Sequence, residues 1–142
     1  MQPNHLGLEI PRKIALAYSA ASKPLCRQLN LPQTAFDILL FLGNNPAYKT
    51  ASDVVEVRHL KANLVSINVE RLVQEGYLVR CPVQGDRRKT QLLCTEKAQP
   101  VIQQGRKMQK AFFEKLFADV DEPTRQAFFS TMQSIEKNLE EI

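Results

Sequence analysis

A chain of 142 residues, 44% hydrophobic and 24% charged, has the size and composition of one globular domain with a sizeable core. Its apolar runs fall short of the roughly 20 residues that a membrane span needs, and its N-terminus lacks a signal sequence. We therefore expect a cytoplasmic protein with no membrane partner. The net charge of +4 is small, so its position along the chain matters more than its size.

Two helical segments are predicted in the N-terminal third of the chain. Apolar residues recur at helical spacing from Leu8 to about Leu29, and Pro24 predicts a break or kink within them. Pro32 suits the first position of a second, largely buried helix, which should end at Asn44-Asn45-Pro46.

A pair of shorter helices is predicted next. Thr50 or Ser52 can cap the first of them. The second should run from about Lys61 to Glu75, with apolar residues on one side and polar residues on the other. Gly76 follows where a left-handed C-terminal cap is wanted. This order of elements is typical of a helix-turn-helix.

A β-hairpin is predicted after the second of these helices. Residues 77–82 and 91–95 are strand-like, and the tip between them contains the turn signal Gly85-Asp86. Arg87, Arg88 and Lys89 follow the turn, so we expect their side chains to project from the end of the hairpin. We expect Asp86 to fix the loop by a charge-assisted pair with Arg88.

The C-terminal part is predicted to be helical. Thr95 can cap a long helix, and Asp121-Glu122-Pro123 should start a second one. That terminal helix repeats apolar residues at spacings of four and three, as a coiled coil does. The repeat consists of Phe128, Met132, Ile135, Leu139 and Ile142. It must be buried against the same domain or a second copy of the chain, and we favour a dimer interface.

The positive charge is concentrated between Arg58 and Lys89. Seven basic residues lie in this window against three acidic ones, so the window carries the whole net charge of +4. A solvated surface with chance clustering would give the same count, and charge alone does not separate the two interpretations. A localised basic excess is what a polyanion-binding face requires.

The candidate recognition residues lie on the predicted helix 61–75. Asn63 pairs well with adenine, Ser66 with several partners, and Lys61 with guanine or phosphate, whereas Ile67 is able to touch a thymine methyl group. Arg71 lies on the same side. A polar face turned to water is the alternative, but the basic hairpin beside it favours contact with a DNA groove.

Residues 50–102 resemble the MarR family of transcription regulators, and residues 29–39 resemble the start of that family's second helix. The similar segments are Leu29–Gln33, Phe36–Leu39, Val65–Ser66, Glu70–Val73, Gly76–Leu78, Asp86–Arg88 and Leu92–Lys97. The resemblance implies a mainly α fold with a small β-hairpin wing, in which a winged helix-turn-helix is joined to a helical dimerisation lobe. Residues 1–142 would form one domain. Its dimerisation lobe would take in about 1–30 and 100–142, and its DNA-binding lobe about 32–98.

The resemblance also implies a function. The chain would be a homodimer that binds a pseudo-palindromic operator in double-stranded DNA, most simply as a repressor, and a small-molecule effector or oxidation would modulate its affinity. On the family pattern, Asp86 and Arg88 take wing positions, and Lys61, Asn63 and Ser66 take recognition-helix positions. Ile67 departs from the pattern, because the family often has a basic residue there.

Two alternatives stay open at this level. One is a thiol-based sensor on the same scaffold, using Cys26, Cys81 or Cys94. The other is a winged-helix module that binds an acidic protein partner. An enzyme is not expected, because His5 and His59 are the only histidines and no catalytic motif surrounds them. The three cysteines have no metal-site spacing, so we expect neither a metal nor a cofactor.

Overall fold

A computed structural model describes residues 7–142, apart from the side chain of Arg87. Its elements in chain order are α1 (Glu9–Leu29), α2 (Gln33–Asn44), α3 (Ala51–Arg58), α4 (Ala62–Gln74), β1 (Leu78–Val83), β2 (Asp86–Cys94), α5 (Ala98–Leu116) and α6 (Glu122–Leu139). The prediction of a mainly α fold with a small hairpin is confirmed. The chain divides into two compact units, one ending at Gln109 and the other spanning Lys110–Ile142.

Helix α1 continues through Pro24, so the break predicted at this proline does not occur. Pro24 itself is exposed, whereas Ser22 and Cys26 on either side of it are buried. The Ser22 hydroxyl is 2.7 Å from Oε1 of Gln33 in α2. Burial and this cross-helix bond hold the C-terminal half of α1 in place, which offsets the hydrogen bond that proline cannot make.

The caps of α3 and α4 set the geometry of the helix pair. Thr50 Oγ1 accepts the Asp53 N–H at 3.1 Å, and the Asp53 carboxylate accepts the Thr50 N–H. These two hydrogen bonds form a capping box. His59 ends α3 in the left-handed region at φ +53°. Gly76 has a φ of +84° directly after α4, as the sequence predicted.

The hairpin is an antiparallel pair with a tight end. Val83 pairs with Asp86, and Gly85 between them has a φ of +87°. Strand β2 therefore begins at Asp86, and the predicted long tip is shorter than expected. The basic residues that follow lie in the first part of the strand. The Leu92 N–H donates to the Lys49 carbonyl at 2.6 Å and ties β2 to the segment before α3.

The core of the first unit lies among α2, α4, β1 and the start of α5. Its fully buried large side chains include Phe36, Leu39, Leu72, Leu78 and Ile102. The Thr95 hydroxyl donates to the Gly76 carbonyl at 2.6 Å, and α5 begins at Ala98. The prediction that Thr95 caps this helix is therefore wrong, because its side chain is held by the turn after α4.

The second unit contains the end of α5 and all of α6. The Phe117 ring lies 5.5 Å from that of Phe128 and 5.4 Å from that of Phe129. Asp121 accepts the Thr124 N–H at 2.9 Å and caps α6, which confirms the predicted restart. Among the described residues, no helix combines the length and the apolar character needed to cross a bilayer.

Candidate nucleic-acid interface

One side of α4 is buried and the other faces water. Val65, Val69 and Leu72 point into the core at spacings of four and three residues. The opposite side carries residues that the sequence assigned to recognition, and the structure leaves them exposed: Lys61, Asn63, Ser66 and Ile67. Lys61 occupies the N-cap position, so its side chain stands at the start of the helix.

The buried side of α4 holds one polar residue. Asn68 is 6% exposed, and its Nδ2 donates to the Leu64 carbonyl at 2.8 Å, so the amide is satisfied within the helix. On the exposed side, Asn63 Oδ1 accepts the Leu64 N–H at 2.9 Å, which leaves the Nδ2 group of Asn63 as its donor. An exposed amide donor near a helix N-terminus is suited to contact a base edge.

Arg71 stands apart from the other predicted recognition residues. Its Nη2 donates to the Asn30 carbonyl at 3.0 Å, and its Nε is 3.2 Å from the Glu75 carboxylate. The guanidinium is thus engaged within the protein, between the end of α1 and the last turn of α4. We expect Arg71 to hold these two helices together rather than to reach DNA.

A second ion pair joins α4 to the hairpin. Arg80 Nη2 in β1 is 2.7 Å from Glu70 Oε2, and Gln74 Nε2 donates to the other carboxylate oxygen at 3.3 Å. Sequence reasoning missed this pair, because nothing in the spacing of residues 70 and 80 says that helix and strand bring them together. The pair is exposed, so it contributes little to stability, but it fixes the Glu70 side chain.

The wing presents cations near its end. Arg88 and Lys89 are exposed, and both lie in the first half of β2. Asp86 Oδ1 accepts the backbone N–H of Arg88 at 3.0 Å. Asp86 therefore braces the loop through the Arg88 main chain, not through the guanidinium pair that the sequence suggested. The backbone of Arg87 lies in the same strand.

Two of the three cysteines, Cys26 and Cys94, lie in surroundings that disfavour a reactive thiolate. Burial raises the pKa of Cys26, and the Asp37 carboxylate raises it further. Burial also raises the pKa of Cys94. Both shifts favour the protonated thiol over the reactive thiolate. Within residues 7–142, no cluster of three or more His, Cys, Asp or Glu side chains is arranged to hold a metal ion.

A groove of about 770 Å³ opens between α1, the start of α2 and Arg71. Lys23 and Arg27 line it together with Cys26 and Gln33. Gln33 joins the two helices below the groove, since its Oε1 accepts the Ser22 hydroxyl. A small molecule bound there would lie next to the residue that attaches α4 to α1.

The chain is similar to known proteins in part of its sequence and in its fold. A family model described as the MarR family matches residues 29–89. No curated protein matches the sequence. A MarR family transcriptional regulator from Listeria monocytogenes, solved with a 26mer DNA, is similar with a TM-score of 0.84 at 16% identity over 93% of this chain and 87% of that one.

Two further solved structures have the same fold. A MarR protein from Peptoclostridium difficile is similar with a TM-score of 0.81 at 18% identity, over 99% of this chain and 94% of that one. An organohalide-sensing transcriptional regulator in its 2,4-dichlorophenol-bound form has a TM-score of 0.72 at 16% identity, over 97% and 82% of the two chains. At these identities the likeness concerns the fold.

Proposed function

We propose that this chain, whose residues 29–89 match the MarR family model, is a regulator of that family: a homodimeric, sequence-specific protein that binds double-stranded DNA. The observation that carries the proposal is the exposed face of α4 next to a cationic wing. Lys61, Asn63 and Ser66 supply donors for base edges and phosphates, and Arg88 and Lys89 supply charge beside them. By its place in the sequence, Arg87 belongs to the same basic group.

Charge distribution supports DNA over an acidic protein as the partner. The whole net charge of +4 falls between Arg58 and Lys89, the stretch that contains α4 and the hairpin. Two of its seven cations, Arg71 and Arg80, are paired with Glu75 and Glu70. The other five lie at the end of α3, at the start of α4 and in the wing, and a regular phosphate backbone requires such a spread of charge.

The homodimer is proposed from the second unit. The seam residues of α6 are each more than 40% exposed in the single chain: Phe128, Met132, Ile135 and Leu139. A row of large apolar side chains on one helix face is unfavourable in water and is characteristic of an interface. A two-fold dimer would present two winged units to the two halves of a pseudo-palindromic operator.

Repression and its relief complete the proposal. A dimer seated on promoter DNA would block transcription by occupancy, and a small-molecule effector would shift the equilibrium between DNA-binding and non-binding states. The groove beside Arg71 is our candidate for the effector site, because Arg71 joins α4 to α1 at its rim. The dichlorophenol-bound neighbour is a precedent for such an effector within this fold.

The proposal is tested by selecting bound sequences from random duplex DNA and measuring their affinity at several salt concentrations. We expect enrichment of a sequence with two related half-sites. The Arg88→Ala/Lys89→Ala double variant should bind the selected duplex more weakly. Its plot of log K against log salt concentration should be flatter by about 0.9 for each phosphate that the variant no longer neutralises.

A matched control is the Lys107→Ala/Lys110→Ala variant, which removes the same charge from exposed positions of α5. It should change affinity much less. Equal reductions in affinity for the two variants would show that the wing adds only net charge. Binding without preference among sequences would argue instead for the protein-interaction module.

A further inference from the structure

Ile67 is an apolar residue on the water-facing side of α4. Its side chain is 67% exposed, although α4 buries Val65, Val69 and Leu72 on the opposite side. A β-branched residue lowers helix propensity, and here no packing against the core compensates for it. An exposed isoleucine in the middle of the recognition face is therefore available to contact a partner outside the chain.

The residues around Ile67 leave it in a face without free charge. Asn63 lies one turn before it and Ser66 directly beside it, and both are uncharged. Glu70 follows three residues later, but Gln74 and Arg80 occupy its two carboxylate oxygens. A free carboxylate would accept from cytosine and repel phosphates, whereas this one is held by its partners.

An exposed apolar side chain on an uncharged face matches a chemical group found on the edge of only one base. In the major groove, thymine alone among the four bases exposes a methyl group, and that group is read by apolar contact. Resting on the DNA-binding function proposed above, we propose that Ile67 reads the thymine methyl group, so that the centre of α4 selects an A·T base pair. Asn63, one turn away, has its Nδ2 donor available for the edge of a neighbouring base.

The surroundings favour a polyanion as the occupant of this face. Lys61 stands at the start of α4, and Lys89 is exposed on strand β2 of the neighbouring hairpin. An apolar contact framed by cations matches a base methyl between phosphates. An apolar protein surface would need no cations around the contact.

The experiment replaces each thymine of the selected half-site by deoxyuridine, one at a time, which removes the methyl group and keeps the base pair. For the wild-type chain, one position should weaken binding about fourfold, the value expected for one buried methyl group. The Ile67→Ala variant should bind the thymine and deoxyuridine duplexes equally at that position. Ile67→Val, which keeps a branched apolar side chain, should retain part of the discrimination.

The control is Val57→Ala, which removes an apolar side chain that is 41% exposed on α3. It should discriminate thymine from deoxyuridine as the wild type does. Because Ile67 makes no core contact, the melting temperatures of the Ile67 variants should match that of the wild type, and this measurement verifies that they fold.

Two results would overturn the inference while leaving DNA binding intact. One is a wild-type chain that is indifferent to every deoxyuridine substitution, and the other is an Ile67→Ala variant that discriminates as well as the wild type. Either would assign Ile67 to a protein partner or to no partner. Failure to bind any duplex would be a different result, because it would overturn the proposed function and the inference together.

Discussion

At the scale of single residues, the contacts of a side chain decide its role more than its type does. Arg71, Arg80 and Arg88 lie in the same basic window, yet the first two are paired within the protein and Arg88 is exposed on the wing. Glu70 likewise has both oxygens engaged. The interface is therefore less charged than a count of its arginines suggests, and uncharged contacts should carry more of its specificity.

Asp37 provides a test of electrostatics at this scale. Desolvation raises its pKa above the ordinary 3.8, against the opposing effects of the Gln33 hydrogen bond, 3.0 Å long, and the Arg58 charge. A carboxyl group whose pKa is raised by folding binds protons more tightly in the folded state. The free energy of unfolding should therefore fall as the pH rises from about 3.8 through the folded pKa.

The Asp37→Asn variant should be more stable than the wild type at pH 7, and the difference should shrink towards zero below pH 3.8. Urea unfolding at a series of pH values measures both effects. Glu56→Gln, a neutralised carboxylate on the exposed side of α3, is the control and should lack the trend. A pH dependence identical to that of the wild type would show that ionisation of Asp37 does not oppose folding.

At the scale of secondary-structure elements, short helices depend on their ends. Helix α3 has only eight residues, so intrinsic propensity alone would not hold it in water. Its capping box satisfies N–H groups at the N-terminus, and β2 is joined just before it at Lys49. Since α3 precedes the recognition helix, this cap helps to orient the interface.

Replacing Thr50 by Ala should lower the free energy of unfolding by about 1 kcal/mol, because the Asp53 N–H loses its acceptor. Denaturant unfolding at neutral pH measures the loss. Ser52→Ala removes an exposed hydroxyl two residues away and should stay within about 0.5 kcal/mol of the wild type. If the two variants lost equal stability, Thr50 would not be the functional cap.

At the scale of the whole molecule, the two compact units differ in how completely they bury their apolar side chains. The unit ending at Gln109 has a continuous core and is satisfied within one chain. In the unit Lys110–Ile142, every described residue of α6 stays at least partly exposed, and its large apolar side chains face water. A second copy of the chain would bury them, which is why we place dimerisation there.

A single charge in the seam should separate the dimer into monomers. Met132→Asp or Ile135→Asp would bury an unpaired carboxylate in the proposed interface, which costs several kcal/mol or forces dissociation. Sedimentation velocity should show a dimer for the wild type and a monomer for either variant. Ser130→Asp adds the same charge to the opposite face of α6 and should remain dimeric. A wild-type chain that sediments as a monomer would contradict the prediction.

Much of the local structure was determined by the sequence alone. The sequence predicts Asp121 and Gly76 as helix ends and narrows the cap of α3 to Thr50 or Ser52, and the spacing of the apolar residues in α4 predicts its exposed side. These features depend on interactions within a few residues of the chain. A hydroxyl next to a helix start or a glycine after a helix end acts through its immediate neighbours. The adjacent sequence is therefore enough to predict such a helix end.

The tertiary structure alone decided which distant residues meet. Pro24 stays inside α1 because α2 supports that helix, and Thr95 turns to Gly76 instead of capping α5. The Arg71 guanidinium, a predicted recognition group, likewise donates to the Asn30 carbonyl, 41 residues away in the sequence. Such contacts depend on how separate elements pack, and the periodicity of a single helix or strand carries no information about its partners.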